Sequence, residues 1–145
     1  MYTFLSDVET VLDQHAISYN EYIEPDHVTI FTNEMMRDPG FSYDNKLLDI
    51  FIENDHQMLF IGLLRLPLTY RRRHIGIEIV KNLLTWANEN GYTTFLDSCG
   101  DSTPFWHNCG FQLIKYHDGF YTMGFGQLYK EKWKQHGQHL FADFQ

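Results

Sequence analysis

The sequence predicts a single domain of the α/β (α+β) class, residues 1–145, built on a mixed central sheet of about six or seven strands flanked by helices. Three observations carry the prediction. The run from Met58 to Leu66 is almost wholly apolar, as expected of a central strand covered on both faces. From Ile75 to Asn90 the period changes to that of a helix, and "YTTFLDS", Tyr92 to Ser98, then reads as a strand again. That strand-helix-strand unit makes its two strands parallel neighbours through a right-handed crossover, whereas the flanking segments read as antiparallel hairpins.

The elements follow in order. Ser6 with Glu9 three residues later forms a capping box, and Val8, Val11, Leu12 and Ala16 recur at helical spacing, which predicts a helix from Asp7 to about Ala16. "HVTIFT", His27 to Thr32, reads as a short strand, and the loop "NEMMRDPGFSYDN" follows it, punctuated by Pro39-Gly40. "KLLDIFIE" and "QMLFIGLLRL" make a hairpin around Asn54-Asp55. In the crossover helix, Ile75, Ile79, Val80, Leu83, Leu84 and Ala87 share one side, and Gly91 is the stop signal. A short helix is predicted at Ser102 to Asn108. "FQLIKYHDGFYTMGF" then reads as two strands around Asp118-Gly119. Residues 127–145 form a C-terminal extension, a short amphipathic helix with an aromatic end.

Composition narrows the function. A formal charge of −8 argues against a nucleic-acid surface, which needs a basic stripe to displace counterions. No apolar run is long enough to cross a membrane, and "MYTFLSDVET" lacks the order of a signal peptide, so the expected location is the cytoplasm. The two cysteines, Cys99 and Cys109, form no CxxC pair, and Cys99 reads as a small buried residue and not a nucleophile. His136 and His139 have Gly137 between them and no third ligand nearby, so no metal is expected. The apolar tail from Leu140 to Phe144 suits docking on the chain's own core or on a second copy, as a homodimer.

Within this acidic chain, "TYRRRHIG", Thr69 to Gly76, is a local exception. It joins the central strand to the start of a helix, where successive backbone N–H groups and the helix dipole converge on an anion. A glycine there lets a phosphate approach the backbone, and arginines add charge-assisted contacts. A solvated charged turn is the plainer reading of three arginines, and phosphates of a nucleotide or RNA are another guest for them.

The segment from Leu63 to Phe111 resembles the core of the GNAT superfamily, the GCN5-related N-acetyltransferases. The residues that carry the resemblance are the apolar strand, Tyr70, Arg71-x-x-His74-x-Gly76 opening the helix, Phe105-Trp106, and Gly110-Phe111. The resemblance implies acetyl-coenzyme A as co-substrate, held in a splay between two parallel strands, with no metal. Leu64 and Leu66 would offer the strand edge to the pantetheine arm. The backbone from Arg71 through Arg72, Arg73, His74, Ile75 and Gly76 to Ile77 would hold the pyrophosphate, and Phe105 and Trp106 would stand near the sulfur.

The reaction so implied is direct attack of a primary amine, in a small molecule or a protein, on the acetyl thioester. Two positions depart from the family's pattern. His74 stands where its loop has a first glycine. Trp106 stands where many members carry a tyrosine acid, and indole cannot supply that proton. His107 and Tyr121 are substitutes for the acid, and Asp97 and Glu53 are the nearest carboxylates for a base. These departures keep a second class open: a protein of this fold that senses acyl-CoA or binds another protein without turnover.

Overall fold

The helical period at the N-terminus is realised as α1, Phe4–Gln14, one turn earlier than the capping box predicts. Phe4 and Leu5 are both buried, so the chain gains more by carrying them under the sheet as helix than by starting at Ser6. Thr3 takes the cap position without a side-chain bond. The Ser6 carbonyl instead accepts a hydrogen bond from Thr10 Oγ1, 2.9 Å away. The computed structural model describes residues 2–34, 36 and 45–142, so the loop around Pro39-Gly40 and the end of the tail, Phe144 included, lie outside the described residues.

After α1 come β1 (Tyr19–Glu24), β2 (His27–Thr32), β3 (Lys46–Glu53) and β4 (Met58–Leu64). They continue into α2 (Ile75–Glu89), β5 (Thr93–Cys99), α3 (Thr103–Asn108), β6 (Gln112–His117), β7 (Phe120–Phe125) and a terminal helical segment that begins with α4 (Tyr129–Lys132). The seven strands form one sheet in the order β1-β2-β3-β4-β5-β7-β6. β4 lies in the middle and pairs antiparallel with β3 and parallel with β5. The remaining neighbours are antiparallel, so the sheet is mixed as predicted.

The sequence reading finds six of these strands and misses β1. "YNEYIE" buries almost nothing, because it pairs only with β2 and leaves most of its side chains in solvent, so hydrophobic alternation gives no signal for it. The β6-β7 turn does carry its signal. Asp118 and Gly119 both have positive φ, 49° and 85°, the backbone that a two-residue hairpin turn requires.

Each face of the sheet has its own core. On one, α1 and α2 cover an aliphatic layer that includes Val8, Leu12, Ile30, Ile50, Leu59, Ile61, Ile79, Leu83 and Leu96. On the other, Met58, Phe60 and Phe95 meet Trp133 and Phe141 of the C-terminal segment. The tail therefore docks on its own chain: Trp133 and Phe141 are each 2% exposed. Trp133 lies 5.2 Å from the Phe95 ring and Phe141 lies 5.1 Å from Phe60. A π-helical turn over Trp133–Gly137 brings Gly137 under the Trp133 ring.

Candidate functional site

β4 changes character half-way along. From Met58 to Ile61 it is laddered on both sides, Met58 opposite Thr93 and Ile61 opposite Leu96 on β5. There the parallel ladder ends, although β4 runs on to Leu64 and β5 to Cys99. On the β3 side, Ile50 pairs with Ile61 and Asp49 with Leu63, which leaves Gly62 as an extra residue, a β-bulge. A bulge adds twist and turns the strand, so bulge and splay fall at the same place. The β5-facing edge of residues 62–64 is thereby released from the ladder.

Beyond β4 the chain turns through a short 3₁₀ helix, Leu68–Tyr70, into α2. Arg71 donates from Nε to the Leu66 carbonyl at 2.8 Å, which ties the loop back to the strand end. Arg72 and His74 both sit in the left-handed region, at φ 62° and 61°. His74 is the N-cap of α2 and makes no side-chain cap bond. The N–H groups of Ile75, Gly76 and Ile77 in the first turn precede the first intrahelical bond, which runs from the Glu78 N–H to the His74 carbonyl. A histidine in the backbone conformation of a glycine pays for that conformation, and the loop keeps its shape because both ends are fixed.

Across from this loop stand Ser102, Phe105 and Trp106 of the β5-α3 connection and α3. A β-carbon on Gly76 would come 3.4 Å from Phe105 Cζ and 3.7 Å from Leu66 Cδ1, ordinary contact distances, so a methyl group fits there and a larger side chain would fill the space before Phe105. Together these walls enclose a cleft of about 520 Å³, within the range of small-molecule sites.

Most of the residues predicted from sequence meet in this cleft. Leu64 and Leu66 line it on the strand side, Arg71, Arg72 and His74 at the loop, Ile75, Gly76 and Ile77 at the helix start, and Phe105 and Trp106 opposite. Arg73 is the exception: its guanidinium lies over the Tyr70 ring, 5.7 Å from the centroid, and is not part of the lining. Trp106 is 7% exposed and packs edge-on against Phe111, so it is wall and core at once.

The four predicted acid and base residues do not converge. Glu53 sits at the closed end of β4, opposite Met58, where its carboxylate accepts from the N–H groups of Asp55 and His56 and from His56 Nδ1. That is five residues from Leu63, about 17 Å at the usual rise of a strand. His107 is exposed on α3, and the Tyr121 ring lies tilted against that of Tyr116 on the hairpin, with centroids 4.9 Å apart. Asp97 is the one near the opening. It follows Leu96, the last laddered residue of β5, and alternation puts it on the tail-side face with Phe95, where its Oδ1 accepts from Thr122 Oγ1 at 2.6 Å.

Sequence reasoning passes over Leu63, Arg65 and Ser102 in the lining, and over Asp49 on the adjoining strand. Asp49 had a signal: a single carboxylate in the middle of the apolar run "KLLDIFIE", 7% exposed in the fold. Neither cysteine lines the cleft. Cys99 proves exposed, because it is the last residue of β5 and the covering elements end before it, and Cys109 is half-buried, with its thiol pushed up by burial. Among the described residues no group of three or more metal-ligating side chains assembles, and no helix is long and apolar enough to cross a membrane.

No protein-family model matches the sequence, and neither does any curated protein at a significant level. Solved structures do match by shape. A protein of the GNAT family from Bacteroides thetaiotaomicron superposes with a TM-score of 0.55 at 15% identity, over 81% of this chain and 71% of that one. Tetrahymena GCN5 gives 0.50 at 10% identity, over 70% and 68%. A Bacillus subtilis acetyltransferase in complex with CoA gives 0.50 at 9% identity, over 77% of this chain and 99% of that one.

Proposed function

Since this chain has the fold of the GNAT acetyltransferases, we propose that it is an acetyl-coenzyme A-dependent N-acetyltransferase acting on a primary amine of a small molecule or a protein. The observation that carries the proposal is the meeting, in one cleft, of a released β4 edge with the unpaired N–H groups at the start of α2. The first suits an extended amide-bearing arm, the second a pyrophosphate. Gly76 leaves room for close approach to the backbone, which is the fit a phosphate needs.

Bound there, acetyl-coenzyme A supplies a thioester carbonyl and a thiolate leaving group. The chain's residues hold and orient. Arg71 and Arg72 add positive charge beside the helix start, and Leu63, Leu64 and Leu66 keep water from the arm. The α2 side is taken by the cofactor loop, so the amine comes from the tail-side face, where the strands part at Gly62. A backbone N–H at the opened strand can donate to developing negative charge on the carbonyl oxygen. Trp106 offers no proton to the thiolate, and a thiol of pKa roughly 8 to 9 leaves near neutral pH without a dedicated acid.

Calorimetry with acetyl-CoA and coenzyme A, followed by a thiol-release assay over a panel of amines, tests this. Micromolar binding and turnover of at least one amine are expected. Binding with no turnover on any amine would favour the second reading, an acyl-CoA sensor, to which Trp106 in the acid's position already lends support. No binding of either compound would end both readings.

A further inference from the structure

The opening between β4 and β5 narrows to a point. The two strands are laddered as far as Ile61 and Leu96 and part at Gly62, while the arginine loop lies at the wide end, beyond Leu66. An arm that starts at α2 and follows the released β4 edge therefore ends at Gly62, with its acyl group at the apex. The ladder closes the way onward between the strands, so the acyl group must turn out of the sheet. Ile61 and Leu96 fill the helix-side face there, 3% and 1% exposed. The way that remains is past Gly62, which is exposed although it stands in the middle strand of seven.

The two flanks of that exit differ. On β5 stands Asp97, whose carboxylate accepts from Thr122 Oγ1 at 2.6 Å. On β3 stands Phe51, and its ring occupies the space where a side chain of residue 62 would begin. A β-carbon on Gly62 would lie 2.8 Å from Phe51 Cε2 and 3.4 Å from Cδ2. The ring is held in that place. It stacks on His27, with centroids 4.3 Å apart and planes 11° from parallel, and it packs against the aromatic cluster that includes Phe60 and Phe141. His27 is fixed in turn, because its Nε2 and Thr29 Oγ1 both bond to Asp49 Oδ1, the hydroxyl at 2.9 Å.

We infer that Phe51 sets the length of the acyl group that the cleft accepts. The inference rests on the acyl-CoA reading of the cleft. An apolar chain leaves the apex on the Phe51 side, because on the other side it would strip water from the Asp97 carboxylate. Acetyl ends in a single methyl group, which meets the edge of the ring. Butyryl carries two more carbons and needs the volume that the ring fills, and in a close-packed site the ring yields only by leaving its stack on His27. Phe51 thus selects short acyl groups by exclusion. His27 and Asp49 position it, and the missing side chain of Gly62 lets the ring come this near the thioester.

Calorimetry with acetyl-CoA, butyryl-CoA and hexanoyl-CoA tests this with no acceptor amine needed. Wild type should bind butyryl-CoA at least about tenfold more weakly than acetyl-CoA, and hexanoyl-CoA no better than butyryl-CoA. Phe51→Ala should shrink the gap between butyryl and acetyl to under about threefold, and Phe51→Leu, which opens less room, should fall between the two. His27→Ala keeps the ring and removes its stack, so it should narrow the gap part of the way, and it carries the test if neither Phe51 variant folds. A wild type that binds acetyl-CoA and butyryl-CoA equally would overturn the inference, as would a gap unchanged in a folded Phe51 variant or, failing those, in His27→Ala. Each of these results leaves the cofactor cleft intact. A wild type that binds none of the thioesters would instead bring down the reading on which the inference rests.

Discussion

The two halves of β4 are one strand with opposite tasks. Residues Met58 to Ile61 are 3% exposed or less, laddered on both edges and covered on both faces, by α1 and α2 on one and by Trp133 and Phe141 on the other. From Gly62 onward the strand keeps β3 and loses β5, and its side chains line a cleft. The difference lies in pairing and not in hydrophobicity, since Leu63, Leu64 and Leu66 are as apolar as the residues before them. Closed sheet gives stability and opened sheet gives a site, so substitutions in the two halves should separate cleanly.

The largest effect is expected in the closed half. Phe95, next to Phe60 across the parallel ladder, touches both tail aromatics, so Phe95→Ala should cost about 3–5 kcal/mol in urea denaturation through the cavity it leaves. A cost under about 1 kcal/mol would mean that the tail does not share in this core. In the open half, Gly76→Trp should lower acetyl-CoA affinity about 100-fold by filling the space before Phe105. Unchanged affinity in calorimetry would remove the phosphate site from the start of α2.

His74 bears on how the opening is held. Its left-handed backbone suits glycine, so His74→Gly should raise stability by roughly 0.5–1 kcal/mol while keeping coenzyme A affinity. A loss of binding in that variant, read by the same calorimetry, would instead assign the imidazole to the cofactor. Smallest of all is a control on the edge strand. Burial, and then the nearby Glu9, raise the pKa of Glu21, so the folded chain holds that proton more tightly than the unfolded one. The cost is therefore absent below the ordinary carboxylate range and complete once pH exceeds the raised value. Glu21→Gln should stabilise by a few tenths of a kcal/mol at pH 7 and by nothing in acid, as measured by thermal melts at both pH values. A pH-independent gain would mean that charge is not the cause.

What could be read in advance follows from where the signals are local. Helix period in α2, the glycine stop after it and the Asp118-Gly119 turn each depend on a few adjacent residues, and each is found where predicted. The residues proposed to hold phosphate are also contiguous, so Arg71 to Ile77 stand together at the cleft, and only the direction of Arg73 escaped. β1 escaped because an edge strand buries little. Asp49 and His27 escaped because they are 22 positions apart and meet only through the β2-β3 register.

The sequence by itself determined the alternation of strand and helix around a buried central strand, and the charged loop at a helix start, because periodicity and turn chemistry act over a few residues. Tertiary structure alone decided that β4 parts from β5 after Ile61, that the bulge falls on Gly62, that Asp97 faces the tail side and Glu53 caps a distant turn, and that the aromatic tail covers its own sheet. Strand pairing and register are agreements between segments far apart in the chain, and the free energy that selects them is that of burying both faces of one sheet at once.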